Sequence, residues 1–259
     1  MAYSSPSPTT ESNTVPAPVA LVTGANKGIG WEIARQLGQK GLTVLAGSRS
    51  PERGATAVQA LQQNGVVARF VEIDIADDVS VDQAARFIEA EYGQLDVLVN
   101  NAGLLVRRAA LTVTADDMRA ELETNTVGLV RVIHRMLPLL ARSRDARVVN
   151  VSSDSASFAY TAEPGSMFAA SHESFVYSAT KAAVNMLTLK YAQAFKDDPV
   201  FAHVRINAVT PGYTATDLNG FRGTKTTAEG ARAIVHWAAV DGNDAESGGF
   251  FDESGRVPW

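Results

Sequence analysis

Residues 19–30 read VALVTGANKGIG, a β-rich apolar run that passes directly into a glycine-rich turn. Glycines stand at positions 24, 28 and 30, and the turn opens an amphipathic stretch over residues 31–40. Glycine allows a tight turn and close approach to the backbone, while free N–H groups at a helix N-terminus attract anions. The stretch predicts a strand, an anion-sized turn and a helix, although any tight strand-to-helix turn favours glycine as well.

The alternation of apolar runs and helical patterns continues along the chain. The predicted strands are residues 19–23, 43–46, 68–73, 95–100, 147–152, 205–209 and, more weakly, 249–251. Amphipathic stretches lie between them, including residues 79–92 and 115–140. Unbroken apolar strands separated by helices are typical of a parallel sheet covered on both faces. We therefore expect an α/β protein with a doubly wound (Rossmann) parallel sheet of about seven strands, helices on both faces, and a single domain over residues 19–259.

The first residues differ in composition from the rest. Residues 1–18 are rich in Ser, Thr and Pro and contain almost no large apolar side chain, so we expect a disordered N-terminal tail. The tail lacks both the apolar segment of a secretory signal and the arginines of a transit peptide. A cytoplasmic location fits this pattern.

Composition argues against several classes of function. The formal net charge of -5 comes without a basic stripe, so neither nucleic acid nor a membrane surface is an expected partner. The chain has no cysteine, which removes disulfides and thiolate chemistry. Its four histidines are scattered, no apolar run is long enough to span a bilayer, and no metal site is expected.

The end of the second predicted strand bears on the choice of cofactor. In doubly wound sheets an acidic residue there binds the ribose 2′-hydroxyl of NAD, whereas a cation accommodates the 2′-phosphate of NADP. Here Ser48 and Arg49 occupy that end, and the first carboxylate is Glu52. Arg49 can bind a phosphate bidentately, and Lys27 can reach the same region from the glycine-rich turn. The pattern favours NADP(H); the alternative is that Arg49 is merely solvated in a loop.

Tyr177 and Lys181 stand four residues apart, a spacing that places two side chains on one helix face. A phenol with a pKa near 10 handles protons poorly at pH 7, and an adjacent cation lowers that pKa. Bringing the pKa close to neutrality takes about 4 kcal/mol, more than one contact usually supplies, so a second cation is needed. Taken alone, this spacing usually marks an ordinary surface pair, so the interpretation depends on what surrounds it.

Five motifs in order show what the chain resembles. They are the glycine-rich turn, Asp74-Ile75, Asn100-Asn101-Ala102-Gly103, Asn150-Val151-Ser152-Ser153 and Tyr177-x-x-x-Lys181, with Pro211-Gly212-Tyr213-Thr214 as a further match. Together they resemble the single-domain short-chain dehydrogenase/reductase family, and the NKGIG form of the turn is similar to its carbonyl reductase branch. The resemblance covers residue 19 to the C-terminus.

The resemblance implies a role for each matching position. The implied catalytic residues are Asn125, Ser153, Tyr177 and Lys181, and Ser152 could exchange roles with Ser153. The implied cofactor-binding residues are Gly24, Asn26, Lys27, Gly28, Ile29, Gly30, Ser48, Arg49, Asp74, Ile75, Asn101, Ala102, Gly103, Tyr177, Lys181, Pro211, Gly212, Thr214 and Thr216. Asp74 would receive the adenine amino group, and Asn100 would join residues 101–103 on the adenosine ribose side. Two alternatives stay open: Asn125 as a residue that merely kinks its helix, and Thr216 as a helix cap.

The implied activity is NADPH-dependent reduction of a small or medium ketone or aldehyde to an alcohol, with Tyr177 as general acid/base. A non-redox epimerase or dehydratase of the same fold and a non-catalytic NADPH-binding regulator are the alternatives.

The segment 154–174 is longer than the family's usual connection, and in the carbonyl reductase branch an insertion there implies a monomer. Because this insertion is smaller, both a monomer and a homo-oligomer stay open. Its Phe158, Tyr160, Met167 and Phe168 could line the pocket, shield the neighbouring helix or anchor the loop, and residues 218–226 are expected to form a mobile lid.

Overall fold

The strands and helices follow the predicted alternation. The computed structural model describes residues 16–169, 172–240 and 246–259, so most of the predicted tail, residues 1–15, lies outside the described residues. The strands are β1 (Val19–Val22), β2 (Thr43–Ser48), β3 (Ala68–Glu72), β4 (Val97–Asn100), β5 (Arg147–Val151), β6 (Arg205–Val209), β7 (Phe250–Asp252) and β8 (Gly255–Arg256). The helices are α1 (Gly28–Gln39), α2 (Pro51–Gln63), α3 (Asp78–Tyr92), α4 (Ala115–Leu122), α5 (Gly128–Arg142), α6 (Phe158–Ala162), α7 (Phe175–Asp197) and α8 (Thr227–Ala239).

The strands form one sheet in the order β3-β2-β1-β4-β5-β6-β7-β8. Neighbours from β3 to β7 run parallel, and β8 pairs antiparallel with β7. The predicted doubly wound fold is confirmed, with one strand more than the seven predicted, because the two residues of β8 are too few to produce a sequence pattern. The strand order reverses between β1 and β4, and a crevice opens there at the carboxyl ends of the strands.

Two apolar layers cover the sheet. Leu21 and Leu98 face a layer built from α3, α5 and α7. Val22 and Val99 face the opposite layer, built from α1, α2 and α8. Because successive side chains of a strand point to opposite faces, strands buried on both faces must be apolar at every position, as residues 19–22 are. These layers hold the strand ends, and the loops that follow them, in fixed positions.

The helix predicted over residues 115–140 is interrupted. It begins with a capping box in which Thr114 and Asp117 bond to each other's backbone N–H groups, and α4 then ends at Leu122. Residues Glu123–Val127 form a π-helical turn before α5 continues to Arg142. Such a turn inserts one extra residue into a helix and often occurs at functional sites. Asn125 lies in this turn, so the helix between β4 and β5 changes its path at a predicted site residue.

Candidate active site

A cavity of about 590 Å³ opens at the carboxyl ends of β1, β2, β4, β5 and β6. Its lining includes the predicted site residues except Asn100 and Asn125, and Asn125 lies directly behind it. The sheet thus brings together side chains that are up to about 190 residues apart, as the contact between Lys27 and Asp217 shows. A cavity at this position in a doubly wound sheet is a general ligand site.

The glycine-rich turn requires its glycines for two reasons. Gly24 has a φ of +66°, in the left-handed region that disfavours side chains. A Cβ on Gly30 would lie 2.4 Å from both the Gly24 carbonyl oxygen and Asn101 Nδ2. Asn101 braces the turn by donating its Nδ2 to the Thr23 carbonyl oxygen at 2.9 Å, and Thr23 Oγ1 accepts the backbone N–H groups of Asn101 and Ala102. This bracing was not predicted, although Asn101 and Ala102 were expected beside the cavity.

The end of β2 leaves a cation available. Arg49 is exposed at the cavity mouth, and within the described ranges its side chain makes no hydrogen bond or ion pair. Ser50 caps α2 by accepting the Arg53 N–H, and its own N–H donates to Ser48 Oγ, so the backbone around Arg49 is held in place. Lys27 is instead paired with Asp217 across the cavity mouth. The two predicted cations therefore differ: Arg49 is free to bind an anion, and Lys27 already has a carboxylate partner.

The polar residues at the ends of β3 and β4 differ in whether they line the cavity. Asp74 lines the cavity beside Ile75, and one of its carboxylate oxygens accepts the Ala76 N–H at 3.0 Å. Asn100 does not line the cavity. It is buried and donates to Asn150 Oδ1 at 2.9 Å, so it ties β4 to β5 instead of facing the expected ribose side.

Ser152 and Ser153 point to different surroundings. Ser152 is buried and donates its hydroxyl to Asn185 Oδ1 at 2.7 Å. Ser153 is partly exposed in the cavity, and its hydroxyl lies 3.0 Å from that of Ser155. A ligand can therefore reach the hydroxyl of Ser153, whereas that of Ser152 serves the packing of α7 on β5.

Tyr177 and Lys181 lie on α7 at the inner end of the cavity, with Lys181 Nζ 5.6 Å from the centre of the Tyr177 ring. Lys181 is buried and donates to the Val151 carbonyl oxygen at 2.8 Å. Burial lowers the pKa of Lys181 to about 8, while Glu121 acts in the opposite direction. Burial, followed by the charges of Glu121 and Asp154, raises the pKa of Tyr177 well above its ordinary value. In the chain without a ligand the loss of water dominates the pKa of Tyr177. The expected lowering needs a second cation besides Lys181 and stays a prediction.

Asn125 connects α7 to the segment after β4. Its Oδ1 accepts the Leu104 N–H at 2.7 Å, and its Nδ2 donates to the Leu104 carbonyl oxygen and to Thr180 Oγ1. A Cβ on Gly103 would lie 3.4 Å from Asn125 Oδ1 and 3.6 Å from Lys181 Nζ, so these two polar atoms meet beside a residue without a side chain. Every hydrogen-bonding atom of the Asn125 side chain has a partner, and the residue is fixed rather than only a source of a kink.

Glu121 is a buried residue that the sequence analysis did not single out. Its side chain is fully buried on α4, and one oxygen, Oε1, accepts the Val106 N–H. The other oxygen, Oε2, has no hydrogen-bond partner among the described residues. Burial raises the pKa of Glu121, the Val106 N–H and Lys181 lower it, and Asp117 adds to the rise. Glu121 stands four residues before Asn125, on the same helix face, and this spacing was the sequence feature that could have indicated it as a site residue.

Residues 211–216 follow β6 and border the cavity, and Thr216 lies beside the glycine-rich turn, where a Cβ on Gly28 would be 3.9 Å from Thr216 Cγ2. Pro211, Gly212 and Thr214 line it, and Thr214 Oγ1 donates to the Pro211 carbonyl oxygen at 3.2 Å. Thr216 also lines it and directly precedes a short 3-10 helix, Asp217–Asn219. Thr216 is therefore both a cavity residue and a residue at a helix start, as the two alternatives required.

The segment 154–174 divides its aromatic and apolar side chains between two places. Met167 and Phe168 line the cavity. Tyr160 packs against the small apolar cluster at β6 and β7 and stacks on Phe168, with 6.4 Å between ring centres. Phe158 is 73% exposed, so it neither lines the cavity nor anchors the loop. Of the three alternatives, pocket lining and loop anchoring both occur, at different residues.

The predicted lid borders the same end of the cavity. Leu218 and Asn219 line it, and Lys225 pairs with Glu253 at 3.2 Å.

Within residues 16–169, 172–240 and 246–259 no helix is long and apolar enough to cross a bilayer. The same ranges contain no cluster of His, Asp or Glu side chains able to hold a metal ion.

Comparisons with known proteins place this geometry in context. The family model for short chain dehydrogenases matches residues 18–227. A protein named short-chain dehydrogenase anuI from Penicillium roqueforti is 34% identical, with 90% of this chain and 92% of that protein covered. NADPH carbonyl reductase 1 from Rattus norvegicus is 32% identical, with 93% and 98% covered. The structure of NADPH-bound carbonyl reductase from chicken fatty liver superposes with a TM-score of 0.81 at 25% identity, covering 95% of this chain and all of the other.

Proposed function

This chain belongs to the short-chain dehydrogenase/reductase family, and on that premise we propose that it reduces a ketone or aldehyde to an alcohol with NADPH, Tyr177 giving the proton. The single observation that carries the proposal is the cavity itself. It brings the glycine-rich turn and Arg49 to one end, and Ser153, Tyr177 and Lys181 to the other. The carbonyl reductase relatives support the same reaction class.

The cofactor is NADP(H), and the residues present fit it. The turn around Gly30 has no room for a Cβ and leaves the N-terminus of α1 open to a pyrophosphate. Arg49 is a free cation at the position that distinguishes a 2′-phosphate from a hydroxyl. Asp74 and Ile75, which line the cavity, would contact the adenine, and Asn101, Ala102 and Gly103 would contact the adenosine ribose. When bound, NADPH supplies the hydride; the protein supplies binding, orientation and the proton.

Ser153 and Tyr177 provide the two hydrogen-bond donors for a carbonyl oxygen. Negative charge develops on that oxygen during reduction, so donors fixed in advance stabilise the transition state more than the ground state. The Tyr177 hydroxyl then transfers its proton to the oxygen. In the ligand-free chain the raised pKa keeps this phenol protonated at neutral pH, the form that a general acid requires.

Lys181 orients Tyr177 and helps to reprotonate it after the reaction. An ammonium group has three N–H donors, and Val151 accepts one of them. The other donors are available to ribose hydroxyls and to the proton path that returns a proton to the phenol. Asn125 holds residue 104 and α7 together beside Lys181 Nζ, which fixes the distance along that path.

The test is a panel of small and medium ketones and aldehydes, assayed with the purified full-length protein and with NADPH or NADH. We expect at least one compound to cause steady oxidation of NADPH, and a lower kcat/KM with NADH. Isomerisation or dehydration of a substrate without net NADPH oxidation would identify the non-redox alternative. Tight NADPH binding without turnover of any compound would identify a regulator.

A further inference from the structure

Glu121 places a second buried charge beside the Tyr177–Lys181 pair. Its side chain has no exposed surface, while those of Asn125 and Lys181 are 2% and 4% exposed. A buried carboxylate with one unpaired oxygen is costly unless another group uses it. Glu121 and Asn125 are thus buried on α4 and the π-helical turn, while Lys181 and Tyr177 line the inner end of the cavity from α7.

Glu121 has an unused hydrogen-bond acceptor, and Lys181 has unused hydrogen-bond donors. Oε2 of Glu121 is a free acceptor, and Lys181 has donors beyond the one that Val151 accepts. Among the described residues the two side chains do not form an ion pair within 4.0 Å, yet their charges influence each other. Two buried polar groups without direct contact can be joined by one water molecule that both of them bind.

The segment after β4 fixes this arrangement. Val106 donates its N–H to Glu121 Oε1, and Leu104 bonds to Asn125 through both its N–H and its carbonyl oxygen. The same three-residue segment thus holds one carboxylate oxygen and one carboxamide, and Leu104 itself lines the cavity. Oε2 is left as the Glu121 oxygen without a hydrogen-bond partner among the described residues.

We propose that Glu121 is a positioning residue of the proton path, whose carboxylate accepts a hydrogen bond from Lys181 through one water molecule and holds the ammonium charged beside Tyr177. The inference rests on the proposed carbonyl reduction. It adds a residue to the inner end of the path. After Tyr177 has given its proton to the substrate oxygen, its phenolate is reprotonated through Lys181. Glu121 stabilises the positive charge of the Lys181 ammonium group during these steps.

The charged and titratable groups around Glu121 set the direction of the expected effect. Lys181 and Tyr177 face it from α7, and Asp117 lies on its own helix, paired with Arg108 at 3.4 Å. The charge of Asp154 also acts on Tyr177. Removing the negative charge of Glu121 makes both the phenol and the ammonium easier to deprotonate. The loss of reductase activity at high pH must therefore begin at a lower pH.

The experiment is the pH profile of kcat/KM for reduction by Glu121→Gln, compared with wild-type protein and with Asp116→Asn. Asp116 is a matched control, because it carries the same charge on the same helix but is 91% exposed. We expect the basic limb of Glu121→Gln to move down by about one pH unit, with NADPH affinity within twofold of wild type. Asp116→Asn should leave the limb in place. An unmoved limb in Glu121→Gln, with normal wild-type turnover, would overturn the inference.

Glu121→Asp covers the case in which Glu121→Gln does not fold. It keeps the charge but withdraws it from Lys181, so kcat should fall several-fold and the solvent deuterium isotope effect should rise, with an unchanged KM for NADPH. Wild-type values for both quantities would reject the proposal. Failure of the wild-type protein to reduce any carbonyl would instead remove the proposed function, and this inference with it.

Discussion

The two ends of the cavity are built differently. The cofactor end depends on main chain: the glycine-rich turn approaches its neighbours so closely that a Cβ on Gly30 would lie 2.4 Å from a carbonyl oxygen. The carbonyl end depends on side chains from α7, β5 and the segment 154–174, and several of these are buried polar groups. The first end is specified by the absence of side chains, and the second by their chemistry. Substitutions should therefore separate binding of the cofactor from chemistry on the substrate.

Tyr177→Phe should cause the largest loss, and only at the carbonyl end. Without the hydroxyl there is no proton donor for the substrate oxygen, so kcat should fall by about a thousandfold or more. NADPH affinity, measured by fluorescence titration, should stay within twofold of wild type. Tyr191→Phe is the matched control, since Tyr191 lies on the same helix and packs on Phe195. Turnover retained by Tyr177→Phe would refute its catalytic role.

Gly30→Ala should weaken NADPH binding, whereas Tyr177→Phe should impair the chemical step. The added methyl group overlaps the Gly24 carbonyl oxygen and Asn101 Nδ2, and overpacking of this kind costs about 2 kcal/mol. We expect NADPH affinity to fall about thirtyfold. Gly65→Ala is the control: its φ of +76° lies in the left-handed region, but there is open space for the methyl group. It should cost about 1 kcal/mol of stability and leave NADPH affinity unchanged.

The buried Lys181 should make the stability of the cofactor-free protein depend on pH. Its pKa is about 8 in the folded chain and about 10.5 in the unfolded chain, so the unfolded state binds more protons between these values. The free energy of unfolding should therefore rise with pH across that window, relative to Lys181→Met, by about 2 kcal/mol between pH 8 and 9.5. Denaturant titrations at the two pH values measure this difference. A constant difference would show that Lys181 titrates normally.

Arg49→Ala should alter the cofactor end without touching the chemistry. Loss of a charge-assisted contact to the 2′-phosphate should reduce the preference for NADPH over NADH by about tenfold. The measurement is the ratio of kcat/KM values for the two cofactors. Arg86→Ala removes another exposed cation, one that pairs with Asp82 on α3, and this variant should keep the wild-type ratio.

Phe168→Ala should have the smallest effect. Phe168 lines the carbonyl end, so its truncation should raise KM for an aromatic ketone several-fold, about 1 kcal/mol, at constant KM for NADPH. Phe158→Ala, from the same segment but 73% exposed, should change neither value. Equal effects of the two substitutions would show that the segment acts only through its stability.

The fold was largely predictable, and the reason is visible in particular residues. Residues 19–22 are apolar at every position, which a strand buried on both faces requires. The break at Asn125 was not predictable, because the pattern of apolar residues over 115–140 reads as one helix. The bonds from Asn125 to Leu104 and Thr180 that accompany the π-helical turn join segments 21 and 55 residues away.

The candidate site divides in the same way. Motif order placed Ser153, Tyr177 and Lys181, and the structure brings them to one cavity. Motif position favoured Ser153 over Ser152 without excluding an exchange of roles, and the contact between the buried Ser152 and Asn185 separates the two. The interaction of Lys27 with Asp217 and the burial of Asn100 depend on distant strands and loops, so no local pattern could indicate them.

The sequence by itself determined the alternation of strands and helices, the glycine-rich turn and the residue types available for proton transfer. Those properties are local, because they follow from side-chain periodicity, the missing Cβ of glycine and the chemistry of single groups. Only the tertiary structure decided the electrostatics of the site. In the ligand-free chain burial raises the pKa of Tyr177 and lowers that of Lys181 to about 8, and the charge of the buried Glu121 acts on both groups. Solvent exclusion arises from the packing of the whole chain, and the cost of a charge depends on that exclusion.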